Sequence, residues 1–270
     1  MHIDDLQPFL RQTGYVTFDF PSSSIILDLR NRHERCYAAK LLMNVRYPQS
    51  DIDSEIFRVL VHEGDRVLDA GANIGFTALE LIEAGASKVL AVEPVPELFD
   101  RLKRLGLPSI EPVQSAISAK AGRTSITVSA THNQGSSIKP EMIALFPGVF
   151  GDIPATYEVE VCTIDDLSDA HGVTDIWKLD IEGAEIDALE GARATLRQSP
   201  PRAIVVELYD QFLSEFAARI RPTHPFGYRA FLRRDDYRLV FMPVDHPPGE
   251  QFENTSPMYV FTRQWLDAAD

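Results

Sequence analysis

Hydrophobic and polar positions divide the chain into an irregular opening and a long alternating body. Residues 66–69, 88–93, 175–180 and 203–209 carry short runs rich in Val, Leu, Ile and Ala, and residues 111–116 read as a further strand between them. That is the pattern of parallel strands covered on both faces. Residues 74–84, 96–105, 184–196 and 211–219 show helical periodicity, and residues 226–234 are expected to be helical as well. Residues 237–242 and 258–262 read as two closing strands. Strands alternating with helices predict an α/β fold, a doubly wound and mostly parallel sheet joined by right-handed crossovers.

The first fifty residues differ. Residues 15–20 alternate like a strand, residues 21–24 (Pro-Ser-Ser-Ser) read as a turn, and residues 25–29 form a second strand, which together predict a hairpin. A helix over 32–43 follows. Tyr47-Pro48-Gln49-Ser50 punctuates the chain, and residues 54–61 read as a further helix with Ile56 and Leu60 on one face. The division expected is an extension at 1–50, acting as a cap or lid, and a main domain at 51–270. Within that domain residues 124–129 and 157–161 alternate as an extra strand pair. Residues 131–155 between them are rich in Gly, Pro, Asn and Ser, and a connection of that length is usually functional.

Composition narrows the partners. The 270 residues are 44% hydrophobic, enough for a substantial core, and carry a formal net charge of -14. Such a chain repels phosphate backbones. The basic group Arg229, Arg233, Arg234 and Arg238 is broken by Asp235 and Asp236 and reads as a solvated face, so no nucleic-acid partner is expected. No long apolar run marks a membrane span, and the start has no basic stretch followed by an apolar one. Cys36 and Cys162 form neither a zinc knuckle nor a disulfide framework, which fits a reduced, cytoplasmic protein.

Candidate chemistry concentrates at residues 67–76, Val-Leu-Asp-Ala-Gly-Ala-Asn-Ile-Gly-Phe, where a buried strand meets a glycine-rich turn and a helix. Gly71 lets the backbone turn sharply, and Gly75 lets the helix pack near the strand. A nicotinamide site wants G-x-G-x-x-G so that a pyrophosphate can rest on the helix terminus, but Asn73 and Phe76 stand at two of those positions. Glu93 ends the second strand, where a carboxylate can bond a ribose diol, and Asp69 ends the first. Two carboxylates suit the sulfonium, amino acid and ribose of S-adenosylmethionine better than a pyrophosphate.

This turn and the Glu93-Pro94 pair resemble the class I methyltransferases. Residues 163–167 (Thr-Ile-Asp-Asp-Leu), 178–185 (Lys-Leu-Asp-Ile-Glu-Gly-Ala-Glu), 204–207 (Ile-Val-Val-Glu) and 133–137 (Asn-Gln-Gly-Ser-Ser) narrow the resemblance to the FkbM family, over about residues 55–209. The resemblance implies a Rossmann-like, seven-stranded sheet whose last strand is antiparallel, and O-methylation of sugars or secondary metabolites. It also implies that Asp69, Gly71, Asn73 and Gly75 line the methionine end and that Glu93, with Pro94, takes the ribose. Ser115 and Ala116 would lie beside the adenine, and Asp180 would face the methionine amino group or the methyl group. Glu55 and Glu182 complete the cofactor set.

An alcohol acceptor must lose its proton, which calls for a base or a metal. Asp180 is the first candidate, although an Asp there can also cap a helix. Glu207 should point into the same crevice. Asp180 and Glu207 could hold Mg²⁺ through oxygen ligands, but the reading favours no metal. His132, in the long loop, and His224 could each be the base. Asn133, Ser136, Tyr209 and His224 are the expected acceptor contacts, under a cover made by residues 131–155 and the hairpin. Phe146, Phe150 and Tyr157 could line an apolar wall, whereas Trp177 and Cys162 read as packing residues. There is no Ser-His-Asp order or nucleophile elbow. The rival readings are an N-methyltransferase, a nicotinamide-dependent oxidoreductase and a non-catalytic cofactor-binding module.

Overall fold

Alternation of apolar runs and amphipathic segments produces the following order in a computed structural model that describes residue 3 and residues 12–129, 135–145, 154–244 and 251–266. A hairpin of β1 (Tyr15–Asp19) and β2 (Ser24–Asp28) leads to α1 (Arg32–Met43) and α2 (Pro48–Leu60). Then come β3 (Arg66–Ala70), α3 (Phe76–Glu83), β4 (Lys88–Val92), α4 (Pro96–Lys103) and β5 (Ile110–Val113). The middle holds β6 (Ala116–Ile117), β7 (Gly122–Val128), β8 (Ser136–Ser137), α5 (Pro140–Leu145) and β9 (Ala155–Cys162). Next follow α6 (Ile164–His171), β10 (Ile176–Leu179), α7 (Glu185–Glu190), α8 (Arg193–Gln198), β11 (Ala203–Glu207) and α9 (Asp210–Ile220). The chain closes with β12 (Phe226–Leu232), β13 (Leu239–Pro243) and β14 (Met258–Thr262).

The main sheet has the order β13-β12-β14-β11-β10-β3-β4-β5. Its strands β3, β4, β5, β10 and β11 are parallel, and β14 is inserted antiparallel between β11 and β12. The chain winds outward from β3 to β5, then returns to lay β10 against the other side of β3. A crevice opens at the carboxyl ends of β3 and β10, the switch point where doubly wound sheets bind ligands. A separate sheet, β6-β9-β7-β8, contains the strand pair anticipated from alternation.

The two-residue period of the strands sorts side chains to two cores. Val67, Val89, Ile176 and Val205 face Ile52, Ile56 and Phe57 of α2 and Leu79 of α3. Leu68, Leu90, Trp177 and Ile204 face Leu189, Leu196, Phe216 and Ile220. Ile25, Leu27 and Ala38 of the opening segment belong to the first core. Asn31 caps α1 by accepting from the His33 and Glu34 N–H groups, and Asn44, left-handed at φ 51°, ends it. Pro48 does not interrupt the chain as expected. It opens α2 at the first helical turn, where its missing N–H costs nothing.

Three other expectations differ from the structure. Residues 226–232 are a strand, because this aromatic-rich run is held on both sides, by β14 and by β13. Short apolar runs do not reveal their period. Residues 184–196 divide into α7 and α8 at Gly191, where a Cβ would lie 2.3 Å from the Ser118 carbonyl oxygen. The main sheet has eight strands rather than the seven implied, the additional one being β13 at its edge. Among the described residues no helix is long and apolar enough to cross a membrane.

Glu34 of α1, 1% exposed, ties the opening segment to the body. It accepts from the Arg101 guanidinium of α4 at 2.6 and 2.8 Å and from the Asp28 N–H at 2.6 Å. Glu34→Ala is therefore expected to lower unfolding free energy by about 2 kcal/mol, since it strands a partly buried cation. Val59→Ala, on the exposed side of α2, should change it by less than about 0.5 kcal/mol. Urea denaturation of both variants checks this, and equal losses would contradict it.

Candidate functional site

The turn after β3 is built from left-handed residues. Gly71, Asn73 and Gly75 have φ of 83°, 51° and 88°. Gly71 is required twice over, by that φ and by the Asp180 carbonyl oxygen, which would lie 1.9 Å from a Cβ. The Gly71 and Ala72 N–H groups both donate to the Val92 carbonyl at 3.0 Å. Gly75 serves packing instead: a Cβ there would meet Leu102 and Leu105, so it lets α3 approach α4 and does not line the crevice.

Glu93 is buried at the crevice wall with Pro94. Its two carboxylate oxygens accept from the Asn73 N–H at 2.9 Å and the Val95 N–H at 2.8 Å. Burial pushes its pKa up to about 7, against the pull of those two donors. Ser115 and Ala116 line the same cavity beside Leu98 and Ile117. The Ser115 hydroxyl itself donates to the Ala116 carbonyl at 2.9 Å.

Beneath the turn lies a buried charge group. Asp69 is fully buried and does not reach the cavity surface, and neither of its oxygens has a hydrogen-bond partner. The Lys178 ammonium lies 3.6 Å from Asp69 and donates to Asp180 at 3.1 Å. Burial opposes the charge on Lys178, but Asp180, Asp69 and Asp53 outweigh it and hold the ammonium charged. Asp180 and Lys178 both line the cavity.

The far wall comes from several elements. Glu182 and Gly183 turn the chain after β10 in left-handed conformation, and Met142 of α5 presses where a Gly183 side chain would be. Glu185 holds this turn by accepting from the Ile181 and Gly183 N–H groups, both at 3.1 Å. The Ser137 hydroxyl donates to the Glu182 carbonyl at 2.6 Å. Ser136 lines the cavity, and its buried Oγ has no partner. Glu207 and Tyr209 follow β11 into the cavity. Burial and the Asp180 charge raise the Glu207 pKa to about 8, and burial likewise raises Glu182.

Sequence reasoning did not select the contributions of α1 and α2. His33, Tyr37, Gln49 and Asp53 all line the cavity, and Tyr37 stacks on Phe76 at 4.0 Å. Gln49 accepts from the Ser256 N–H at 2.9 Å and bonds its hydroxyl, which closes the wall against the segment before β14. Burial raises the Asp53 pKa to about 7, and its buried Oδ1 has no partner. Gln49 and Asp53 are spaced by four, beside the apolar stripe Ile52, Ile56 and Leu60. That signal was present in the sequence. So was a lysine, Lys178, inside a buried strand.

Several expected residues lie elsewhere. Glu55 is two positions from Asp53, about 200° around the helix. It pairs with Arg58 on the outer side, away from the cavity. His224 is buried below the amino end of β11, with Nε2 3.0 Å from the Pro201 carbonyl and Nδ1 2.9 Å from the Thr223 hydroxyl. Burial lowers its pKa to about 4, so it is a neutral packing residue and does not reach the cavity. The β1–β2 hairpin contributes no side chain to the cavity. Tyr157 reaches out to Glu97. Trp177 is a core residue bonded to Thr174. His132, Asn133, Phe146 and Phe150 lie outside the described residues. Among the described residues no group of three or more His, Cys, Asp or Glu is placed to hold a metal ion.

The chemistry of the donor set fits S-adenosylmethionine. A buried carboxylate with free lone pairs faces the cavity beside an apolar recess, and Gly75 is packed against leucines rather than open to a pyrophosphate. A family model described as the methyltransferase FkbM domain matches residues 69–267. No curated protein matches the chain. Among solved structures, a SAM-dependent methyltransferase from Agrobacterium tumefaciens is 11% identical, covering 94% of this chain and 72% of that one, with a TM-score of 0.46. A TehB-like SAM-dependent methyltransferase from Corynebacterium glutamicum is 14% identical, over 86% and 96%, with a TM-score of 0.43. TYW2 from M. jannaschii, solved in complex with AdoMet, is 11% identical, over 93% and 86%, with a TM-score of 0.42.

The raised carboxylates link the site to stability. Between the unfolded carboxylate pKa near 4 and folded values of about 7 for Glu93 and Asp53 and about 8 for Glu207, the native state binds more protons than the unfolded one. Ligand-free stability should therefore fall as pH rises from about 5 to about 8. Glu207→Gln should flatten that decline, as urea melts at three pH values would register. A wild-type stability that climbs across this window would contradict the assignment. Gly71→Ala should cost at least about 2 kcal/mol in the same assay.

Proposed function

The chain belongs to the FkbM family of S-adenosylmethionine-dependent methyltransferases, and on that premise we propose that it methylates a hydroxyl oxygen of an uncharged small molecule, a sugar or a natural-product intermediate. The observation that carries this reading is the character of the wall facing the cofactor turn. Gln49, Asp53, Ser136, Glu207 and Tyr209 offer hydroxyl-binding groups, while Lys178, the lysine that lines the cavity, is engaged by Asp180. A phosphorylated or carboxylated acceptor would meet like charge there without a free cation to answer it. Hydroxyls find acceptors on every side.

In this reading Gly71, Ala72 and Asn73 hold the methionine end, Glu93 takes the ribose hydroxyls, and Ser115, Ala116, Leu98 and Ile117 enclose the adenine. The bound cofactor supplies an electrophilic methyl group. The protein's own task is to orient a hydroxyl toward it, exclude water and accept the proton. Helices α1 and α2, with the segment from β8 to α5, form the cap over the acceptor. This assigns the covering role to residues 32–60 rather than to the hairpin. Cys36 and Cys162, neither of them in a disulfide, suit a reducing, cytoplasmic setting. The net charge of -14 disfavours nucleic acid as an acceptor.

Calorimetry tests the cofactor site. S-adenosylmethionine and S-adenosylhomocysteine should bind at micromolar concentration, and Glu93→Ala should weaken both by roughly 10- to 100-fold, the worth of charge-assisted bonds. Binding of NAD(H) in their place would sink the assignment. Labelled methyl transfer then tests the acceptor class. Methyl glucoside and related neutral glycosides should be used at least about tenfold better than glucose 6-phosphate or glucuronate. Preferential transfer to an amine, with an N-methyl product by NMR, would replace O- by N-methylation.

A further inference from the structure

Four acidic side chains other than Glu93 line the cavity, and their surroundings differ. Asp180 accepts from the Lys178 ammonium at 3.1 Å, so its Oδ2 is already engaged. Glu207 takes a hydrogen bond from Ser256, and Glu182 shares its charge environment. Asp69 has unpartnered oxygens but lies beneath the turn, outside the cavity. Asp53 alone combines a place on the cavity wall with a buried carboxylate oxygen that has no hydrogen-bond partner. It stands on α2, one helical turn from Gln49, opposite the carboxyl ends of β3 and β10.

We propose that Asp53 is the general base of the methyl transfer, made ready to act by the arrival of the cofactor's sulfonium charge. The proposal rests on the methyltransferase reading of the same cavity. The acceptor hydroxyl gives its proton to Asp53 Oδ1 as the new oxygen–carbon bond forms. The sulfur–carbon bond breaks with its electron pair left on sulfur, so the proton is the one particle the protein must take up.

The groups that surround Asp53 set its charge. Lys178 from β10 and Lys40 from α1 favour the carboxylate. Asp180, just past β10, and Glu80 from α3 oppose it, and Asp53 and Glu207 of β11 disfavour each other's charge. Burial tips the balance, so that the free enzyme near pH 7 holds Asp53 part protonated. A positive charge entering the cavity reverses that balance and expels the proton. The carboxylate is then ionised when the reactive methyl group is present. Tuning a base to near the working pH is what proton transfer in catalysis requires.

Calorimetric titration in phosphate and in Tris, whose ionisation enthalpies differ, counts the protons released on binding. At pH 7, S-adenosylmethionine should release roughly half a proton more from the wild type than from Asp53→Asn, since a group titrating near 7 is about half protonated there. S-adenosylhomocysteine, without the sulfonium charge, should show a much smaller difference. S-adenosylhomocysteine affinity should stay within about threefold and the melting temperature should not fall, because the replaced oxygen has no partner, whereas S-adenosylmethionine should bind at least about fivefold more weakly, the linked cost of losing a carboxylate that its sulfonium ionises. Turnover of the best neutral glycoside should drop by about 100-fold or more. Equal proton release in both proteins overturns the proposal. So does a tenfold loss of S-adenosylhomocysteine affinity in Asp53→Asn, which would make the residue a ligand of the cofactor's uncharged parts. Absence of cofactor binding in the wild type overturns the methyltransferase assignment of the cavity, and the base role with it.

Discussion

The Lys178 ammonium is 3% exposed and lies between Asp180, just past the end of its own strand, and Asp69, its register partner on β3. The turn above depends on this contact. Residues 69–75 must bend sharply in left-handed conformation while the Asp180 backbone presses against Gly71. Without a cation between them, Asp69 and Asp180 would repel each other at the point where two central strands meet the crevice. A buried cation that loses its partners, or the reverse, is strongly destabilising. Charge therefore fixes the register of β3 and β10 where hydrophobic packing alone would tolerate small shifts, and the Glu93 clamp and the Glu182 turn are placed by that register.

The rest of the cavity carries more acid than Lys178 neutralises. Burial holds Glu93, Asp53 and Glu207 near neutrality, which costs stability as pH rises and leaves the site receptive to positive charge. A cationic ligand that binds only the folded state recovers that loss and stabilises the protein by mass action. Affinity and strain are thus two readings of the same carboxylates.

Most of the sheet was legible because covered parallel strands are apolar along their whole length, and because strand–helix alternation leaves few topologies. The turn was legible through Gly71 and Asn73, whose positions demand unusual backbone. Other features depend on geometry that a linear pattern does not carry. Glu55 is expected at the cofactor, whereas helix phase turns Asp53, not Glu55, toward the cavity. His224 follows a helix like a site residue, yet the strand it touches presents its opposite end. Residues 226–232 read as a helix because their partners, β13 and β14, come later in the chain. Lys178 was visible as a polar interruption of a buried strand, and only its neighbours on β3 and β10 explain it.

The cavity is also divided along the chain. Its cofactor-turn wall comes from residues 71–184, within the span that matches the family model, while His33, Tyr37, Gln49 and Asp53 precede that span and are joined to it by the Gln49–Ser256 bond. Substitutions in α1 and α2 can reshape half of the chamber without disturbing the turn that begins at Gly71. Such a layout lets lineages exchange one wall while inheriting the other, so homologous chains can diverge in what they admit long before they diverge in the machinery they share.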